Sequence, residues 1–238
     1  MTGISVSIAS GRGGAGKSTL CANLGVALSQ MGLKTLVVDA DVEAASMNLL
    51  FGLDLDVPTM HDYLSGNAGA DEIVFNLKNE GIDLVVGSIK IESLGDVKFD
   101  LFKEFISEIK EKYDIILIDL IAGLSVDAVT SLSASDAVVL VVTPDILSVS
   151  SALKTKIITK GMNIKILGAV INRVGGEYDI PVPHIADMLG VPILGSISED
   201  KEVKRSLSTG KILMLNNPNS PASKSIKQIA SILVGESK

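Results

Sequence analysis

The chain has 238 residues, of which 47% are hydrophobic and 21% charged, and its formal net charge is −7. This composition is typical of a folded globular protein and excludes intrinsic disorder, which requires low hydrophobicity together with high charge. One cysteine excludes a disulfide framework and a cysteine-rich metal site. The acidic total argues against nucleic acid as the main partner.

The sequence pattern does not predict insertion into a membrane. The longest apolar candidate, Ala137–Val142, is far shorter than the roughly 18 residues that a membrane-spanning helix needs. Residues 1–10 lack a basic segment and alternate apolar residues with serine, which predicts a strand rather than a signal peptide. We therefore expect a cytoplasmic protein.

Short apolar runs alternate with segments of helical periodicity along the chain. Several runs are apolar at consecutive positions, which is typical of strands that are buried on both faces. The predicted strands are Ile4–Ile8, Thr35–Val38, Asp83–Val86, Ile115–Ile118, Ala137–Val142, Ile166–Ile171 and Ile193–Ser196. The predicted helices are Lys17–Met31, Phe99–Lys112, Ser125–Ser133, Ile146–Lys160, Val182–Leu189 and Ser220–Val234.

This alternation predicts an α/β fold with a mostly parallel sheet of about seven or eight strands. We expect a single doubly wound domain over residues 1–238, with helices on both faces of the sheet in three α/β/α layers. Glycine follows three of the predicted helices, at Gly32, Gly161 and Gly190. A left-handed residue is expected to end the helix at each of these positions.

The turn after the first predicted strand carries a phosphate-binding motif. Residues 10–19 read SGRGGAGKST, which contains G-x-x-x-x-G-K-[ST] between a strand and a helix, as this motif requires. Glycines let backbone N–H groups face an anion, and the start of the helix adds its positive dipole end. Lys17 is predicted to neutralise the β and γ phosphates, and Ser18 to coordinate Mg²⁺. The predicted nucleotide contacts are Gly11, Arg12, Gly13, Gly14, Ala15, Gly16, Lys17, Ser18 and Thr19.

Carboxylates end two other predicted strands. Asp39 and Asp41 follow the second strand and Asp119 follows the fourth, so all three belong to the sheet edge where α/β proteins bind ligands. Burying Asp119 at the end of an apolar strand is costly without a cation, and we expect it to hold Mg²⁺ through a water. The alternative for each residue is an ordinary aspartate at the end of a strand.

An asparagine–arginine pair, Asn172 and Arg173, follows the strand Ile166–Ile171. The asparagine amide carries both a donor and an acceptor, which suits the edge of adenine. The guanine motif N-K-x-D is absent, because the sequence continues Val174-Gly175. ATP is therefore preferred to GTP, and the alternative is that Asn172 caps the end of a strand.

These motifs, in this order, resemble those of the MinD/ParA family of deviant Walker A P-loop ATPases. The resemblance rests on the doubled glycine of the loop and on further segments that span nearly the whole chain: VDAD at 38–41, YDIILID at 113–119, INR at 171–173, MLGVPILG at 188–195 and NPNSPA at 217–222. The order is closer to the MinD branch, including archaeal MinD-like proteins, than to the plasmid-partition branch.

The resemblance implies an Mg²⁺-dependent ATPase that dimerises over ATP and separates on hydrolysis. It implies a role in placing the cell-division site or in intracellular positioning, together with a protein regulator that stimulates slow turnover. Membrane contact would be peripheral or through a partner. By the same resemblance Asp41 positions the attacking water and Asn172 with Arg173 recognises the base. Catalysis is assigned to Lys17, Asp41 and Arg12, and the metal to Ser18, Asp39 and Asp119.

The sequence departs from the family pattern at three points. Arg12 replaces the signature lysine that contacts nucleotide across the dimer, and a planar guanidinium is larger than an ammonium. The segments 119–123 and 197–200 lack the family prolines. The alternatives are therefore a degenerate ATP-binding module with little hydrolysis and a ParA-type DNA-segregation ATPase. The second follows from the 12 basic and 7 acidic residues in 151–238, although DNA is the less expected partner.

Overall fold

A computed structural model describes residues 3–41, 46–53, 57–87 and 100–235. Within these ranges, eight strands form one sheet with the order β3-β4-β2-β5-β1-β6-β7-β8. Only the β3–β4 pair is antiparallel among the pairings of this sheet, which confirms the predicted fold class. The strands are β1 Ile4–Ala9, β2 Thr35–Asp39, β3 Phe75–Leu77, β4 Ile82–Val85, β5 Ile115–Asp119, β6 Ala137–Val142, β7 Lys165–Val174 and β8 Ile193–Ser198.

Helices cover both faces of the sheet. They are α1 Lys17–Gln30, α2 Met47–Leu50, α3 Met60–Leu64, α4 Asp100–Ile109, α5 Val126–Leu132, α6 Ile146–Gly161, α7 Val182–Leu189, α8 Lys201–Thr209, α9 Leu213–Asn216 and α10 Pro221–Leu233. α1 and α10 pack in the core on one face, and α4, α6 and α7 in the core on the other. None of the helices in the described ranges is both long enough and apolar enough to cross a membrane.

Strand β6 shows why helices must cover both faces of the sheet. All six of its residues are buried, and alternate side chains point to opposite faces of a sheet. Val139 and Val141 belong to one hydrophobic core, and Val138, Leu140 and Val142 to the other. An apolar residue at every position is therefore the sequence counterpart of the three-layer arrangement.

The predicted elements agree closely with the structure. Each predicted strand corresponds to an observed one, while β3, an edge strand of three residues, was too short to predict. Helices α2, α3, α8 and α9 were also missed, and Phe99 at the start of one predicted helix lies outside the described residues. Gly32 and Gly190 are left-handed as predicted, with φ of 90° and 55°. The prediction for Gly161 was wrong, because α6 includes this residue and Asn163 takes the left-handed conformation instead.

The strand register brings the predicted acidic residues together at the carboxyl edge of the sheet. Asp119 at the end of β5 is paired with Ile8 of β1 on one side and with Asp39 of β2 on the other. The loop that follows β1 leads directly into α1. The phosphate-loop motif and two of the predicted carboxylates are therefore neighbours because of the sheet order alone.

Helix α1 lies very close to β2 at Gly25, where an added methyl group would lie 2.5 Å from Val37 Cγ2. Since valine is stiff, Gly25→Ala is expected to lower the free energy of unfolding by about 1–2 kcal/mol, despite the better helix propensity of alanine. Urea unfolding measures this. Gly161→Ala is the matched control, because a Cβ there meets no atom within 4 Å. Equal stability of the two variants would contradict the close packing.

Candidate functional site

The loop between β1 and α1 requires glycine for two reasons. Gly14 and Gly16 have φ of 79° and 90°, in the left-handed region that glycine adopts without strain. A Cβ on Gly16 would also collide with the side-chain amide of Asn172, and a Cβ on Gly11 would collide with Ser151 of α6. The glycine pattern of the motif therefore reflects both backbone conformation and close packing around the loop.

Lys17 is the first residue of α1, and its side chain is only 6% exposed. Its Nζ donates to Asp119 Oδ1 at 2.7 Å and lies 4.0 Å from Asp41 Oδ2. Burial lowers the pKa of Lys17, but the carboxylates of Asp119, Asp41 and Asp39 outweigh this effect and hold the pKa above its usual value. The site therefore contains an ammonium that is charged at neutral pH, at the base of the glycine loop.

Asp39 and Asp119 are adjacent on neighbouring strands, and both are fully buried. Burial raises the pKa of Asp119 above its usual range, against the opposing effect of the Lys17 ammonium. Burial and the nearby charge of Asp119 raise the pKa of Asp39 to about 7, although three backbone N–H groups donate to it. Two ionised carboxylates are therefore poorly solvated in this part of the protein.

A chamber of about 430 Å³ lies over the loop. Lys17, Ser18, Thr19 and Asp41 line it together with the glycines Gly13, Gly14 and Gly16. Ile121 also lines the chamber, and it packs on Ala128 in a small cluster. Much of the predicted phosphate loop, Ser18 for the metal and Asp41 for the water thus face one space, whereas the buried Asp39 and Asp119 do not line it.

The residues at this chamber fit a magnesium ion. Within the described residues, no group of three or more His, Cys, Asp or Glu side chains is placed to hold a metal alone. However, the buried Asp119 Oδ2 has no hydrogen-bond partner in the part of the chain that the structure describes, and three carboxylates act on the Lys17 ammonium. An unsatisfied oxygen and excess negative charge beside the Ser18 hydroxyl suit a hard cation that takes its other ligands from phosphate and water.

A second, mostly apolar cavity of about 230 Å³ lies beside Gly16 and Thr19. Asn172 and Arg173 both line it, and their role in recognising the base stays a prediction. The Asn172 amide also donates to the Ala15 carbonyl at 2.8 Å, so it braces the phosphate loop. Arg173 has a φ of 61° at a bulge between β7 and β8, and it lines both this cavity and the 430 Å³ chamber.

Sequence reasoning missed most of the walls of this second cavity. They come from β8, from α8 and from the region of α9 and α10, and include Ile197, Val203, Leu207, Leu213 and Ile226. The signal for α8 was present: Asp200 caps the helix by accepting from the Glu202 N–H, and the apolar residues at 203 and 207 are one turn apart. This pattern was missed because the segment that forms α8 is short and highly charged.

Arg12 lies apart from the other predicted catalytic residues. Its guanidinium forms an ion pair with Asp145 of the same chain at 3.2 Å, and both side chains are 46% exposed. It lines a neighbouring cavity of about 580 Å³ with residues 176–179 rather than the chamber that Lys17 and Asp41 line. A catalytic role for Arg12 stays a prediction.

Comparison with known proteins identifies the family. The profile of the CobQ/CobB/MinD/ParA nucleotide-binding domain matches residues 6–213. The chain belongs to this family. An uncharacterised ATP-binding protein of Methanocaldococcus jannaschii is 36% identical to this MinD/ParA-family chain over 233 residues, covering 98% of this chain and 88% of that protein.

Two solved structures show how far the MinD-like fold extends. The septum site-determining protein MinD of Pyrococcus horikoshii, complexed with Mg-ADP, superposes with a TM-score of 0.94 at 33% identity, covering 98% of this chain and 96% of that one. MinD in the MinC:MinD complex of Aquifex aeolicus gives a TM-score of 0.88 at 27% identity, with coverages of 99% and 97%. The chain is thus a nucleotide-binding MinD/ParA-family protein over nearly its whole length.

The raised pKa of Asp39 predicts a pH dependence of stability for the protein without nucleotide. The pKa is about 7 in the folded state and about 3.9 in the unfolded state, so the folded state binds more protons between these values. The free energy of unfolding contributed by Asp39 therefore falls as the pH rises from about 4 to about 7.

Urea unfolding of the wild type and of Asp39→Asn across this pH range measures that contribution. We expect a smaller fall for Asp39→Asn than for the wild type. The exposed Asp187 of α7 provides the control Asp187→Asn, which should follow the wild type. Parallel profiles for all three proteins would contradict the raised pKa.

Proposed function

We propose that this chain is an Mg²⁺-dependent, ATP-binding and ATP-hydrolysing switch of the MinD/ParA type. The observation that supports it most is the buried Lys17 ammonium, which lies between Asp119 and Asp41 and faces the same chamber as Ser18 and the loop glycines. This is a preorganised cation within an anion cradle, with carboxylates at hand for a metal and a water. A triphosphate tail needs each of these groups.

Each side chain at the site has a separate role in the proposed hydrolysis of ATP. In hydrolysis, a water oxygen bonds to the γ phosphorus and the bond to the β–γ bridging oxygen breaks, which releases ADP and phosphate. Lys17 neutralises charge that develops on the β and γ oxygens, and Asp41 orients the attacking water. Ser18 and Asp119 would hold Mg²⁺, which adds further charge neutralisation when bound.

Adenine is the base that we propose for the 230 Å³ cavity. Its apolar walls suit an aromatic ring, and Asn172 offers an amide donor and acceptor beside them. The M. jannaschii relative is described as an ATP-binding protein, and the P. horikoshii MinD structure holds Mg-ADP. ATP is accordingly the proposed ligand.

The biological role that we propose is positional control of the MinD type, in cell-division site placement or the positioning of another cargo. Septum site-determining proteins are among the relatives, and the A. aeolicus MinD forms a complex with MinC. We propose ATP-dependent homodimerisation and a protein regulator by the same analogy. We expect the chain to work in the cytoplasm, with any membrane contact peripheral or through a partner.

Phosphate release tests hydrolysis. We expect Asp41→Ala to slow Mg²⁺-dependent phosphate release from ATP on the order of 100-fold, because the attacking water loses its orienting carboxylate. Lys17→Ala should lose most of its affinity for ATP and should fold, as judged by circular dichroism, but with a lower free energy of unfolding because the buried Asp119 loses its partner. Lys224→Ala, on the exposed side of α10, is the matched control and should behave as the wild type.

The same assay separates the enzyme from the alternative of a degenerate binding module. A wild type that binds ATP but releases phosphate no faster than Asp41→Ala is a binding module and not an ATPase. Arg12→Lys restores the family lysine. Faster release by Arg12→Lys than by wild type would assign slow turnover to the arginine.

Light scattering coupled to size exclusion tests the switch. With ATP and Mg²⁺ we expect Asp41→Ala to elute as a dimer, because binding proceeds while hydrolysis is slow. With ADP or no nucleotide we expect a monomer of 24.9 kDa. A mass that does not change with nucleotide would contradict ATP-driven dimerisation.

ATP-dependent, salt-sensitive retention on DNA would favour the DNA-segregation alternative.

A further inference from the structure

Asp39 makes contacts that its predicted place in the metal shell does not explain. Its Oδ1 accepts a hydrogen bond from the Asp41 N–H at 3.0 Å. Its Oδ2 accepts from the N–H groups of Ser46 and Met47, at 3.0 and 3.1 Å. The carboxylate is fully buried, and its two oxygens together accept from three backbone groups. Since a carboxylate has about four acceptor positions, most of its capacity is used within the chain.

The three donors belong to two places in the sequence. One is the residue that carries the predicted catalytic carboxylate, Asp41, and the others are the residue before α2 and its first residue, Ser46 and Met47. Met47 is fully buried in the hydrophobic core to which the buried residues of α1 also belong. A single side chain at the end of β2 thereby links the backbone of Asp41 to a helix anchored in the core.

The effect on Asp41 is geometric. The Ala40 N–H donates to the Asp119 carbonyl at 3.0 Å, which continues the pairing of β2 with β5. The next N–H, that of Asp41, is fixed by Asp39 instead of by a strand neighbour. With its backbone held, the Asp41 carboxylate lies 4.0 Å from Lys17 Nζ and lines the 430 Å³ chamber.

We propose that Asp39 is a positioning residue, whose carboxylate holds the chain on both sides of residues 42–45 and so aims Asp41 at the chamber. The catalytic part of this inference rests on the proposed ATPase function, whereas the tether itself does not. The proposal differs from the role in the Mg²⁺ shell that the family resemblance implies. It makes Asp39 act through Asp41 rather than on the metal.

Amide hydrogen exchange of the protein without nucleotide tests the tether directly. In Asp39→Ala, the amides of Asp41, Ser46 and Met47 should exchange about tenfold faster than in the wild type, as expected for the loss of a hydrogen bond. Asp39→Asn keeps the side-chain shape and one of the two acceptor oxygens, so it should give an intermediate rate and serves if Asp39→Ala does not fold.

Asp136→Ala is the matched control for this exchange experiment. Asp136, directly before β6, also accepts a backbone N–H at the same sheet, that of Ser5 in β1 at 2.8 Å. Its removal should leave the amides of Asp41, Ser46 and Met47 at wild-type rates. Unchanged exchange of these three amides in Asp39→Ala and Asp39→Asn would overturn the proposal, whether or not the protein hydrolyses ATP.

Kinetics separate positioning from metal binding. We expect Asp39→Asn to lower kcat at least tenfold, while KM for ATP and the Mg²⁺ concentration for half-maximal binding of a fluorescent ATP analogue change less than about twofold. Asp39→Asn combined with Asp41→Ala should be no slower than Asp41→Ala alone, since both act through one group. A severalfold higher Mg²⁺ requirement with wild-type amide exchange would overturn the proposal in favour of the metal shell.

Discussion

The buried ion pair between Lys17 and Asp119 is the interaction on which the site depends. Both side chains are withdrawn from water, and their 2.7 Å contact joins the start of α1 to the end of β5. Removing one partner of such a pair leaves an uncompensated charge, which typically costs about 3–5 kcal/mol. The pair therefore ties the position of the phosphate loop to the sheet, and the charge that would serve a nucleotide also contributes to the integrity of the fold.

Around this pair the negative charges exceed the positive one. Asp39 and Asp41 both act on Lys17, and the pKa of Asp39 is raised because its carboxylate shares a buried environment with Asp119. Unpaired buried charge is destabilising, and groups with strongly shifted pKa values are therefore concentrated at functional sites. The electrostatics of the sheet edge thus indicate a cationic ligand as strongly as the glycine loop indicates an anionic one.

Much of the fold and the site was predictable, for identifiable reasons. Strands such as β6 are apolar at every position, and parallel strands bring Lys17, Asp39 and Asp119 to one edge whatever the detailed packing. The contacts that depend on three-dimensional neighbours were not predictable. Asn172 reaches Ala15 across 157 residues of sequence and Arg12 reaches Asp145 across 133, and no local periodicity encodes either distance.

The bond between Asn172 and Ala15 has a consequence for selectivity. The Asn172 amide borders the apolar cavity and also holds the loop that would receive the phosphates. It packs directly against Gly16, where an added Cβ would collide with it. A purine that pushed this amide aside would also loosen the grip on its own triphosphate. In the proposed ATP complex, discrimination among bases and affinity for the triphosphate are therefore linked through this one hydrogen bond, and engineering one of them independently would first require a separate brace for the loop.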